Sequence, residues 1–164
     1  MEFILLVGLV FGIIVYRRRA DGGRVDVGLM ARRLFEFGFL FGLVVATAVG
    51  ATGALGILYD AVADGRGGGP EQLAMWLSLV MVAGGALAGM SFWLRRRFRS
   101  SDAEAKSGGW SFYLSAVDLV SSGMLVGSAI VVIGWLIDGW SFDSWALAAL
   151  PVWFVVSVLH WRLP

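Results

Sequence analysis

The chain has no cysteine, one histidine, one lysine and three prolines among 164 residues. Without cysteine there are no disulfides, thiolate metal sites, iron–sulfur clusters or cysteine nucleophiles. A single histidine, His160, cannot supply both axial ligands of a bundle haem, and with scattered acids it makes no metal-ligand cluster. Nucleophile elbows, phosphate-binding loops and paired carboxylates are also missing from the sequence. Hydrolase and transferase chemistry therefore lacks its parts, and the expectation is a protein that is not an enzyme and carries no cofactor.

Apolar residues are abundant: 59% of the chain is hydrophobic, with a mean hydropathy of +0.80. The usual apolar share of a soluble domain is about 45–50%. Charges are clumped, leaving long apolar runs between them. Five of these runs qualify as membrane spans: Phe3–Tyr16, then about Leu34–Ala63, Leu73–Leu94, Trp110–Ile137 and Trp145–Trp161. The first is short, covering roughly two-thirds of a ~30 Å core, and needs snorkelling arginines, local thinning or neighbouring helices. No positive segment precedes it, so it reads as an anchor rather than a cleavable leader.

Loop charges orient the spans. Arg17, Arg18, Arg19, Arg24, Arg32 and Arg33 follow the first, and Arg95, Arg96, Arg97, Arg99 and Lys106 follow the third. The intervening loops carry acids, with Arg66 their one basic residue, and Arg162 follows the last span. The positive-inside rule then puts the N-terminus outside and the C-terminus in the cytoplasm. Each basic cluster abuts an apolar run, which fits topology rather than nucleic-acid binding. Trp76, Trp93, Trp110, Trp135, Trp140, Trp145, Trp153 and Trp161 read as interface anchors. Gly65–Pro70 reads as a turn.

Helices two and three resemble four and five. A slide of 78 positions pairs Ala51 with Ala129, Gly56 with Gly134, Leu58 with Leu136 and Asp60 with Asp138, and sets Gly50 opposite Ser128. A slide of 68 pairs Leu79 with Leu147 and Trp93 with Trp161. The expected fold is all-α, a polytopic membrane bundle of five helices. It comprises an anchor helix and basic loop at 1–30 and two hairpins at 31–99 and 110–164, as parallel repeats would be.

The hairpin endings SFWLRRRF (Ser91–Phe98) and VLHWRLP (Val158–Pro164) resemble a domain-of-unknown-function family of bacterial integral-membrane proteins. Its members are built from repeated helix pairs with a His-Trp near the close. The resemblance covers most of Ala31–Pro164 and implies a fold and a bacterial inner-membrane location, but no activity. The first hairpin departs from the pattern, having Phe92 where the second has His160.

Three features carry candidate function. Gly38, Gly42, Ala46, Gly50 and Ala54 recur every four residues, with shorter rows at Gly8/Gly12, Gly85/Gly89 and Gly123/Gly127. Small residues so spaced let helix backbones approach, either inside the bundle or against a partner. Asp118 lies inside a span, with Ser111, Ser115 and Ser122 on the same helical stripe. An acid there reads as a polar glue between helices or as part of a proton or cation path. His160 reads as an interfacial residue, close in depth to Glu36, or as a weak candidate for holding a cofactor. The leading expectation is a small accessory or assembly subunit in the bilayer, packed against other membrane subunits or its own copies. The rival is a transporter or channel component with Asp118 on its path. No nucleic-acid partner is expected.

Overall fold

The computed structural model describes residues 27–65, 68–98, 108–139, 141 and 143–161. They form four α-helices: α1 (Val27–Asp64), α2 (Pro70–Phe98), α3 (Gly108–Asp138) and α4 (Ser144–Trp161). All four are long and apolar enough to cross a membrane, which makes this a multi-pass membrane protein of all-helical architecture. Five spans were expected from sequence; the first of them, Phe3–Tyr16, lies outside the described residues, as do Gly8 and Gly12. The chain divides into two compact units, Met1–Glu36 and Phe37–Pro164. The described part of the first is the opening of α1, where the Arg32 Nε donates to Glu36 Oε1 at 2.8 Å one turn on.

Local chemistry sets the helix ends. Gly65 and Gly139 follow the last residues of α1 and α3 with φ of 64° and 69°. That is the left-handed conformation in which glycine ends a helix without a Cβ penalty. Pro70 opens α2, where its missing N–H costs nothing, and the Gly69 carbonyl accepts from the Gln72 and Leu73 amides. Arg95, Arg96 and Arg97 in the last turn of α2 complement its dipole. Asp143 caps α4: its Oδ1 accepts from the Trp145 and Ala146 amides at 2.9 and 3.2 Å. Pro151 interrupts α4, removing the amide that would bond the Leu147 carbonyl.

The helix α1 sits at the centre of the second unit. Half of its apolar window is buried, against 6%, 17% and 22% for α2, α3 and α4. Small residues allow this. Gly50 lies under the Trp76 carbonyl and Val80 of α2, and Gly53 lies under the Trp76 ring. Ala48 packs with Ala149 and Trp153 of α4. Toward the arginine end, Phe37, Leu40 and Val44 pack with Leu94, Trp110, Tyr113 and Val117 of α2 and α3. Gly38 and Gly42, by contrast, are exposed, and a Cβ on either would touch nothing. The four-residue row therefore serves two sides of α1. Each i to i+4 step advances about 40° around a helix, so five positions sweep about 160°.

Aromatic residues close both ends of the bundle. Trp110 contacts Phe37, Phe98 and Tyr113 at ring-centroid distances of 5.7, 4.9 and 5.0 Å. At the opposite end Trp76 meets Trp145 at 5.8 Å. Trp153 corrects the expectation of an interface anchor: it is midway along α4 and fully buried against α1. Trp161 and Trp93 are exposed, whereas Trp140 is not among the described residues. Four of the five pairs made by the 78-residue slide share their burial, whereas Asp60 is half-buried and Asp138 exposed. Gly50 and Ser128 are buried, Ala51 and Ala129 half-buried, Gly56 and Gly134 buried, and Leu58 and Leu136 exposed.

These contacts set an expected outcome for substitution. Gly50→Val should lower the unfolding free energy in detergent by about 1–3 kcal/mol, because its side chain meets α2 backbone that cannot move aside. Gly42→Val, with open space around it, should leave the thermal transition nearly unchanged.

Candidate functional site

Polar side chains inside the spans fall into two groups, those with partners and those without. The first group lies mainly between α3 and α4. The Ser157 hydroxyl donates to Ser121 Oγ at 2.9 Å, and Ser121 donates to the Asp118 carbonyl at 3.2 Å. Nearer the arginine end, His160 Nδ1 lies 2.8 Å from the Val156 carbonyl, and its Nε2 lies 2.8 Å from the Tyr113 hydroxyl. A carbonyl only accepts, so Nδ1 carries the proton; in the neutral imidazole Nε2 then accepts from Tyr113. Both ring nitrogens are thereby engaged within the bundle. On α1, Thr47 donates to the Leu43 carbonyl at 2.7 Å. Thr52 and Trp153 are fully enclosed, and neither Thr52 Oγ1 nor Trp153 Nε1 has a hydrogen-bond partner.

Besides the enclosed Thr52 and Trp153, the second group includes a stripe on α3. Ser111, Ser115, Asp118 and Ser122 are all exposed, pointing away from the other three helices. At 100° per residue they fall within about 60° of one another. The carboxyl of Asp118 has no hydrogen-bond or ion-pair partner among the described residues. The span Gly109–Asp138 is 30 residues long, and Asp118 lies about 8 Å from its midpoint, inside a ~30 Å apolar core. An aspartate side chain is too short to reach water from that depth as a lysine or arginine does. Farther along the same face lie Ala129, Ile133 and Leu136, small and then apolar.

The small-residue rows divide similarly. Gly50 and Ala54 are consumed by packing within the bundle and Ala46 is half-buried. Gly85, Gly89, Gly123 and Gly127 are exposed, and a Cβ on any of them would meet open space. Gly123 and Gly127 lie about 140° and 180° around α3 from Asp118, so they belong to a different face. Glu36 is accounted for by its bond to Arg32.

A groove of about 400 Å³ runs between α1, α2 and α4, walled by Val44, Ala48, Ala51, Leu87, Pro151 and Val155. Thr47 and His160 also line it, but their donors are already committed to carbonyls. The groove fits a hydrocarbon chain and offers no free donor to a polar ligand. Among the described residues no three of the His, Asp and Glu side chains gather as metal ligands would.

Sequence reasoning named Asp118, Ser115 and Ser122 and placed them on one stripe, but not on which side of the bundle it lies. It missed Tyr113 and the Ser121–Ser157 pair. Tyr113 shares a helical face with Trp110, three residues earlier, and that aromatic pairing was the available signal.

Two partners that satisfy each other predict a particular pattern. Tyr113→Phe alone should destabilise the bundle by about 1–3 kcal/mol, since it strands the His160 acceptor. The double variant Tyr113→Phe/His160→Phe should recover part of that loss, because it removes both polar groups. Thermal unfolding of the three proteins in one detergent checks this.

Residues 33–143 match the family described as "Domain of unknown function (DUF5671)". No curated protein and no solved structure matches the chain. The matched stretch takes in most of α1, all of α2 and α3, and ends at the residue that caps α4. His160 and Trp161 therefore lie beyond it, while Asp118 and its serines lie within. The match spans more than half of the chain, which belongs to this family.

Proposed function

We propose that this family member is a non-enzymatic membrane subunit that docks a neighbouring transmembrane helix on the Asp118 face of α3. One observation carries the reading. An ionisable side chain inside a span points away from the other described helices with no partner among the described residues, flanked by three serines equally without one there. Such a group at the centre of a span costs about 2.5–3.5 kcal/mol on insertion scales, and in membrane proteins it faces protein or a water-filled cavity. Its own described helices provide neither. A neighbour on this face would remove the cost. The open glycine pairs Gly85/Gly89 and Gly123/Gly127 add surfaces on which further helix backbones could approach closely.

The rival reading puts Asp118 on a proton or cation path. Since Asp118 does not point into the bundle, that path would have to run between this chain and a neighbour, so docking comes first in either case. The arrangement fits an accessory or assembly subunit of the bacterial cytoplasmic membrane, with the arginine-rich helix ends in the cytoplasm. The burial shared by four of the five pairs in the 78-residue slide supports two hairpins descended from one.

Purification from native membranes in mild detergent should recover the wild type in a stoichiometric assembly. Asp118→Leu should be recovered largely as the free chain, and Asp118→Asn should retain most of the assembly because an amide still donates and accepts. Recovery of the wild type as a monomer would overturn the docking reading. The orientation has its own check: a reporter active only in the cytoplasm should work when fused after Pro164, and silence there would reverse the topology.

A further inference from the structure

We infer that the occupant of the Asp118 face is a second copy of this chain, with α3 packed against α3 around a two-fold axis along the membrane normal. The inference rests on the docking reading above and names the partner. Every copy inserts with the same orientation, so a two-fold axis along the normal keeps the two α3 helices parallel and in register. Asp118 then meets its own counterpart and the counterparts of Ser115 and Ser122, one turn to either side, with no adjustment of depth.

The chemistry of the stripe is self-complementary. A serine hydroxyl both donates and accepts, and so does a carboxyl in its neutral form. Two identical stripes can thus satisfy each other without a cation. No lysine or arginine lies within the α3 span, and the described arginines of α2 sit in its last turn. The rest of the face suits the same pairing. Above the polar patch Ala129 permits close approach, and Ile133 and Leu136 provide apolar contact. From Ser111 to Leu136 the seam would run about 38 Å. Ser111, Ser115, Asp118, Ser122, Ile133 and Leu136 are all exposed and Ala129 is half-buried, so among the described residues this face is open to a neighbour.

The chain contains no cysteine, which makes the test clean. Single cysteines at Ser111, Ser115 and Ser122 would be oxidised in native membranes, beside Phe112→Cys and Leu119→Cys, which lie on α3 but off the seam. The expected result is a disulfide-linked species of twice the chain mass at the three serine positions and little at the two controls. Uniformly weak crosslinking, or a maximum at Phe112 and Leu119, would overturn the pairing. In a proteoliposome dilution series of the unmodified protein, Asp118→Leu should weaken self-association by about tenfold, the effect of losing roughly one interhelical hydrogen bond. Asp118→Asn should weaken it less. If copies fail to crosslink while Asp118→Leu still releases the native assembly, a different polypeptide holds the face. The second-copy inference then falls and docking stands. If neither responds, both fall.

Discussion

Inside a bilayer no water is available to bond a stray N–H, C=O or hydroxyl, and that constraint organises this molecule. It makes every described span a helix, so that backbone groups are satisfied within one segment. It also dictates what happens to the side chains that are not apolar. Thr47 returns its proton to the carbonyl one turn back, Ser157 and Ser121 hand theirs in sequence to the Asp118 carbonyl, and Tyr113 and His160 bond each other. Against that background Asp118 stands out. Its backbone is served by a neighbouring serine, whereas its carboxyl points where the described helices have nothing to offer.

The central position of α1 follows from the size of its side chains. Apolar attraction cannot hold helices together in a medium as apolar as they are, so contact area and proximity decide. Gly50 and Gly53 let the Trp76 region of α2 come down onto the α1 backbone, and Ala48 makes room for Trp153 from α4. The larger residues of α1 are used where the bundle is wider, in the aromatic and aliphatic cluster at the arginine end.

The spans were legible in the sequence because run length and charge clumping are one-dimensional properties. Helix ends were legible where Gly65, Pro70 and Gly139 punctuate them. The packing was less so. A four-residue period from Gly38 to Ala54 looks like one groove on paper, but on a 3.6-residue helix it winds round, and the structure assigns its two ends to different surroundings. Trp153 looked like an anchor because seven other tryptophans fall nearer to span ends; its burial depends on Ala48 of α1, more than a hundred residues away in sequence. The Ser111–Ser122 stripe was readable as a stripe. Whether it faces inward depends on where three other helices settle, and no periodicity within α3 contains that.

The seat of α1 also has an order in time. Its walls come from elements made one after another: Trp76 and Val80 on α2, Trp110 and Tyr113 on α3, and finally Ala149, Trp153 and the Ser144 backbone on α4. Through α3 and α4 run the Ser157–Ser121 and Tyr113–His160 bonds, whose partners stand 36 and 47 residues apart. During synthesis α1 therefore waits with one side open until the 18 residues of α4 are in place. Until then Ser121 and Tyr113 lack the α4 groups they bond to. Of the four described helices, the last made is the one that closes the bundle.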